Sequence, residues 1–363
     1  MNLVFRTDAS ILIGTGHVMR CLTLANALRE LGHNCHFICR EHPGHLIEPI
    51  RAQGHQVHTL ARQPTSAWAE EDAALAHAGW LGCSQQQDAQ ACLPLLSQLR
   101  PQWLIVDHYA LDARWQQQLK PYHERLMVID DLADREHACD LLLDQTFGRA
   151  PLDYQRWVPS HCRVLCGAEY SLLRPEFAQL RADSLLRRQE QGGVRQLLVS
   201  MGGVDKDNAT GMILRALDSV ALLADCRIEV VLGPTAPWLA ALQQQAEAMR
   251  CPTRIHAGIS NMAQMMADSD LAIGAAGATA WERCCLGLPA VMVVLAENQR
   301  AVAQGLQQVG AARVIGSAQR ISAELPGHLR ELSSSCELLT RMGQAAAGVT
   351  RGQGVQSVIG YLE

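Results

Sequence analysis

Residues 3–28 read LVFRTDASILIGTGHVMRCLTLANAL, and this stretch decides the fold class. Leu3–Arg6 has the apolar make-up of a buried strand. Ile13–Gly16 is a glycine-containing loop. Val18, Leu22, Ala25 and Leu28 then fall on one face of a helix, which Gly32 stops. Strand, tight loop and helix in that order make the first half of a βαβ unit.

The same alternation continues outward. Cys35–Cys39 and Gln56–Leu60 read as short strands around a helical stretch, His45–Gln53. Trp103–Asp107 (WLIVD) and Leu126–Asp130 (LMVID) are buried runs that each end in an acid. This spacing predicts a parallel sheet. Residues 147–196 are mixed, with Pro151, Pro159, Pro175, the charged stretch Arg181–Gln191 and Gly192-Gly193, and read as an interdomain connection. The pattern then restarts: strand Gln196–Ser200, turn Met201-Gly202-Gly203, helix Asn208–Leu217, and further strands at Ile228–Leu232, Arg254–His256, Leu271–Gly274 and Ala290–Val294. The expectation is an α/β protein of two Rossmann-like, doubly wound domains facing each other across a cleft, the architecture of the GT-B class. The boundaries are 1–165, 166–345 and a C-terminal helix over 346–363 that packs back on the first domain. The loops after Phe5, Asp107, Ser200, His256, Gly274 and Leu295 should line the cleft, because ligands sit at the carboxyl ends of strands in open sheets.

Composition agrees with that class and narrows the function. The 363 residues suit two domains, and 48% hydrophobic content suits two cores. A net charge of -5 with no basic block argues against nucleic acid. No window reaches the roughly 18 apolar residues of a spanning helix, so no membrane partner is expected. Thirteen cysteines, an odd count with no secretory signal before them, point to free thiols in a reducing cytoplasm. Cys35/Cys39 and Cys162/Cys166 are CxxxC pairs without a second half, so zinc is not expected.

Several positions could carry chemistry. Gly14 and Gly16 flank Thr15 and let the backbone turn close to a ligand. His17 falls in the first turn of the helix, where the dipole disfavours the imidazolium, as suits a general base; a plain βα turn with a capping histidine is the alternative. Arg20 can meet a phosphate or an acid. Asp107-His108-Tyr109 and Asp130-Asp131 end buried strands, although each acid could instead cap the following helix. Ser200–Gly203 followed by Asn208 resembles a phosphate loop at a helix N-terminus. In Gly274-Ala-Ala-Gly277-Ala-Thr279-Ala-Trp-Glu282, small residues admit a ligand, Thr279 can donate to a phosphate, and Glu282 can accept from ribose hydroxyls; a Thr279/Glu282 capping box is compatible with both. Asp205-Lys-Asp207 reads as a cap and Asp268-Ser-Asp270 as a helix end, so no metal is assigned. His42/His45 and His55/His58 read as solvated.

Taken in order, RTDASILIGTGHVMRCLTLA (6–25), VDHYALD (106–112), IDDLADREHACDLLLDQ (129–145), LLRPEF (172–177), LLVSMGGVDKDNAT (197–210), GISNMAQMMADSDLAIGAAGATAWERCCLGLPAVMVV (258–294) and AENQ (296–299) resemble one family. It is the UDP-2,4-diacetamido-2,4,6-trideoxy-β-L-altropyranose hydrolases of pseudaminic acid biosynthesis, which are similar in fold to the lipid-linked peptidoglycan glucosaminyltransferase. The resemblance implies cytoplasmic, metal-independent cleavage of the anomeric C1–O bond by water, with inversion and release of UDP, and no cofactor. Its catalytic histidine corresponds to His17, and its sugar-contacting tyrosine and asparagine to Tyr109 and Asn298. Gly14, Gly16, Arg20, Asp107, Arg174 and Gln299 would complete the substrate contacts. Met201, Gly202, Ile259, Ala278, Thr279 and Glu282 would hold UDP. The expected partners are the UDP-sugar and water, and the expected state is a monomer or weak dimer. A glycosyltransferase or 2-epimerase on the same fold, or a nucleotide-sugar binder without turnover, remains open.

Overall fold

Leu3, Val4 and Phe5 are fully buried in β1 (Asn2–Thr7), the strand around which the first unit is built. The computed structural model describes residues 1–62, 75–190, 192–220, 226–234 and 236–363; Gln191, at the end of the charged stretch above, lies outside them. β1 pairs in parallel with β2 (Asn34–Arg40) and β4 (Trp103–Asp107). With β3 (Gln56–Leu60), β5 (Arg125–Ile129), β6 (Leu141–Asp144) and β7 (Arg163–Cys166), the described residues form a seven-stranded parallel sheet in the order β3-β2-β1-β4-β5-β6-β7. The connecting helices include α1 (Gly16–Glu30), α2 (Ile47–Ala52), α3 (Gln85–Leu99) and α4 (Ala113–Leu119). Successive residues of a strand face opposite sides. Leu3 and Phe5 accordingly pack with Leu24, Leu28 and Phe37, while Val4 packs with Leu104 and Trp115. A sheet buried on both faces needs the continuous apolar runs that the sequence supplies.

The second unit repeats the plan. β8 (Gln196–Ser200), β9 (Arg227–Leu232), β10 (Thr253–Ala257), β11 (Leu271–Ala275), β12 (Ala290–Val293) and β13 (Ala312–Ile315) are parallel in the order β10-β9-β8-β11-β12-β13. Around them lie α5 (Pro175–Glu190), α6 (Ala209–Asp218), α7 (Leu239–Glu247), α8 (Met262–Asp268), α9 (Thr279–Cys285), α10 (Arg300–Gln308), α11 (Ile321–Ser333) and α12 (Cys336–Ala347). The chain divides into Met1–Leu172 with Val355–Glu363, and Leu173–Gly354. In the final helix, α13 (Gly354–Leu362), Val355, Val358, Ile359 and Leu362 join the core of the first unit, and the Trp103 indole donates to the Leu362 carbonyl at 2.9 Å.

Three expectations need correction. Residues 147–196 are not a linker: they contain β7 and the 16-residue helix α5, with Pro175 at its first position, where its missing N–H costs nothing. The arginines of the charged stretch bond backbone carbonyls of their own unit, Arg181 to Ala347 (2.7 Å) and Thr350 (3.0 Å), Arg188 to Met266 (2.9 Å) and Leu286 (3.1 Å). His42 and His55 are buried, not solvated. His55 faces Asn26 Oδ1 at 2.8 Å, and His42 lies 3.6 Å from Asp8.

Candidate active site

Each sheet described has one place where strand order reverses, and several of the candidate residues lie beside it. In the first unit it lies between β1 and β4, in the second between β8 and β11. Crevices for ligands form outside the carboxyl ends of strands at such points.

In the first unit, Gly14 takes φ +82°, a conformation that side chains resist, and closes the turn from Ser10 by the bond from its N–H to the Ser10 carbonyl at 2.8 Å. Gly16 is the first residue of α1 and His17 the second. From β4, Asp107 reaches both His17 and Arg20. His17 Nδ1 lies 2.6 Å from Asp107 Oδ1, and Arg20 binds both oxygens, Nε to Oδ2 at 2.6 Å and Nη2 to Oδ1 at 2.7 Å. Asp107 is fully buried. Burial raises its carboxyl, but the Arg20 guanidinium and the His17 ring more than offset this and hold it well below the usual range. An ionised carboxylate has no proton to give, so Nδ1 donates, and in the neutral ring Nε2 is then the acceptor. No hydrogen bond takes up Nε2 among the described residues. Asp107 therefore caps no helix; α4 is capped by Asp112. Arg20 is buried between Asp107 and Asp131 (Nη1 to Oδ2, 2.6 Å).

Tyr109 completes the group. Its hydroxyl donates to Asp131 Oδ2 at 2.6 Å, and its ring stands edge-on to His17, 4.5 Å between centroids and 87° between planes. Burial and the Asp131 charge push the phenol well up, so it stays protonated. Two further rings were not among the expected residues. Trp80 stacks on Tyr109 at 5.6 Å and meets His17 edge-on at 6.0 Å, and His77 lies 4.3 Å from Trp80. Both sit on or next to a single 3-10 turn, Ala78–Trp80, that no motif marks.

In the second unit, Met201 and Gly202 follow β8, Ile259 follows β10, Ala278, Thr279 and Glu282 follow β11, and Asn298 and Gln299 lie on a 3-10 turn after β12. Gln299 accepts from the Leu295 N–H at 2.9 Å and reaches towards Gly277. Arg174 lies in this unit, pairs with Glu176 at 2.9 Å, and is close enough to Glu282 to act on its charge. Burial pushes the Glu282 carboxyl up to about 7, against the pull of Arg174 and Arg283.

The two helix starts at this reversal differ. At α6 the first-turn amides are already bonded: Ala209 and Thr210 donate to Asp205 at 2.9 Å each, and Gly211 to Asn208 at 3.0 Å. The Asp205 cap was expected, but it takes the donors that a phosphate would need, so the Gly202 loop does not present the free helix end read from the sequence. At α9 no side chain caps the helix, so Thr279 and Glu282 form no capping box. The N–H groups of Gly277, Ala278 and Thr279 are bonded to nothing among the described residues. No group of three or more His, Cys, Asp or Glu suited to a metal occurs among them either, and no helix there is long and apolar enough to cross a membrane.

Residues 222–357 match the glycosyltransferase family 28 C-terminal domain. An uncharacterized protein of Methanocaldococcus jannaschii is 26% identical over 83% of this chain, and the chain spans 57% of that relative's length. The UDP-2,4-diacetamido-2,4,6-trideoxy-beta-L-altropyranose hydrolase of Campylobacter jejuni is 24% identical over 85% of this chain and 97% of its own. Among solved structures, MurG of Acinetobacter baumannii superposes with a TM-score of 0.68 at 15% identity, covering 99% of both chains. The fold is therefore that of the GT-B glycosyltransferases, with two parallel-sheet, Rossmann-like units.

Proposed function

We propose that this chain, as a relative of the Campylobacter hydrolase, acts on a UDP-linked sugar and hydrolyses its anomeric C1–O bond, with UDP-2,4-diacetamido-2,4,6-trideoxy-β-L-altropyranose as the substrate. The observation that carries the reading is the bond from His17 Nδ1 to the ionised Asp107, which leaves Nε2 as a base. In this reading Nε2 takes a proton from water as its oxygen bonds to C1. The C1–O bond breaks, its electron pair leaves with UDP, and C1 inverts. The proton rests on the imidazole, where Asp107 stabilises the charge. Tyr109 and Asn298, with Gly14, Gly16, Arg174 and Gln299, would contact the sugar, and Arg20 would act by holding Asp107. Met201, Gly202, Ile259, Ala278, Thr279 and Glu282 would hold UDP. UDP is a good leaving group, and the unbonded amides of residues 277–279 suit its diphosphate, so no metal is needed.

A transferase reading has one observation in its favour. Ile11 (50% exposed) and Leu12 (70%) stand out from the loop that leads to His17, and suit an apolar acceptor. One assay separates the readings. Purified protein is incubated with the UDP-sugar, with water as the sole acceptor and with EDTA, and UDP and free sugar are followed by NMR. Intact substrate would defeat the hydrolase; turnover abolished by EDTA would defeat the metal-free route.

A further inference from the structure

Arg283 is a buried cation that makes no direct ion pair among the described residues. It is 2% exposed, and its Nε is buried without a hydrogen-bond partner. Burial pulls its guanidinium down to about 10. A buried charge left this way is costly, and such groups persist where something else meets them. The guanidinium lies under the loop that joins β11 to α9, and a Cβ on Gly274 would overlap its Nη1, which explains a glycine inside a buried strand.

Its two bonds have a direction. Thr279 and Arg283 are four apart and neighbours on α9, and Ala275 is the last residue of β11. Arg283 Nη2 donates to the Ala275 carbonyl at 2.8 Å, and Nη1 donates to Thr279 Oγ1 at 3.3 Å. Arg283 thus fills an acceptor position of the hydroxyl. The proton of Thr279 is thereby turned away from the guanidinium, on a half-buried residue next to exposed Ala278 and the unbonded amides.

We propose that Arg283 is a positioning residue for a diphosphate: it aims the Thr279 hydroxyl as a donor at the ligand. This rests on the nucleotide-sugar reading above and gives it a specific anion-recognising part. The test measures affinities of UDP and of uridine by calorimetry for the wild type, Arg283→Met, Thr279→Val and the double variant. One lost charge-assisted hydrogen bond corresponds to about ten-fold. Each single variant is expected to weaken UDP relative to uridine by about that factor, and the double variant is expected to be no worse than either one. Equal losses for UDP and uridine, additive losses in the double variant, or unchanged UDP affinity in Arg283→Met would overturn the proposal. Should Arg283→Met fail to fold, Arg283→Lys replaces it. A lysine lacks the fork that reaches both oxygens, so unchanged UDP affinity in that folded variant also overturns it. Wild-type protein that binds uridine and UDP equally well overturns the diphosphate role and leaves the nucleotide reading standing; wild-type protein that binds neither overturns both.

Discussion

At the scale of residues, Asp107 is the hub, since one buried carboxylate orients a histidine and neutralises an arginine. Replacing His17 by Asn should cut turnover at least ~100-fold while UDP binds as before. Normal turnover in that variant would remove His17 as the base. Asp107→Asn is expected to do two things at once. Turnover should fall by on the order of 10²- to 10⁴-fold as the imidazole loses its orientation. Stability should fall by about 3–5 kcal/mol because Arg20 is left buried and less well paired; urea denaturation checks the second effect separately. Glu282 gives a pH dependence whose sign follows from its raised acidity. Near pH 6 it is mostly the neutral acid, and above about 7 it is a carboxylate able to accept from two ribose hydroxyls. Uridine affinity should therefore rise between pH 6 and 8, and Glu282→Gln should flatten the profile. Uridine is the probe because it has no phosphate to titrate in that range. For the fold itself the sign is opposite: holding a proton up to about 7 favours the folded chain at low pH, and that contribution is lost as pH rises from the ordinary carboxyl range through 7.

At the scale of elements, the strands that decide the topology were legible because burial on both faces forces unbroken apolar runs, as in WLIVD and LMVID. β6, β7 and β13, four residues each, were not read as strands. The sequence misled most at α5. A run of arginines ordinarily marks a solvated face or a linker, but here the guanidinium groups bond backbone carbonyls, a use that composition cannot reveal. The site divides in the same way. His17, Asp107, Tyr109 and Thr279 stand at strand ends and in glycine-rich turns, where local pattern speaks. Trp80 and His77 reach the site only through tertiary packing of an unremarked 3-10 turn. Gly274 shows how closely β11 is fitted to α9. Gly274→Ala should cost about 1–3 kcal/mol, as overpacking does, since its Cβ would meet Arg283 and also stand 3.0 Å from the Ser200 carbonyl. A variant as stable as the parent in urea would show that Arg283 can give way.

At the scale of the whole molecule, the second unit is continuous in sequence and the first is not. Residues 355–363 complete the first core, and four of them bury apolar side chains there, each contributing about 1.5–3 kcal/mol. Deleting Val355–Glu363 should therefore leave the second unit folded and destabilise the first, seen as two separated thermal transitions in place of the parent's profile. A truncated chain with an unchanged first transition would show α13 to be dispensable. The arrangement also bears on how the protein is made. A ribosome finishes 182 residues of the second unit, Leu173–Gly354, before the last strip of the first is translated. Domains generally fold as units in the order of synthesis. Here the earlier unit must wait with an uncovered apolar stripe on its sheet while the later one folds. Its window of exposure to chaperones, and to neighbouring nascent chains, is set by the translation time of the other unit.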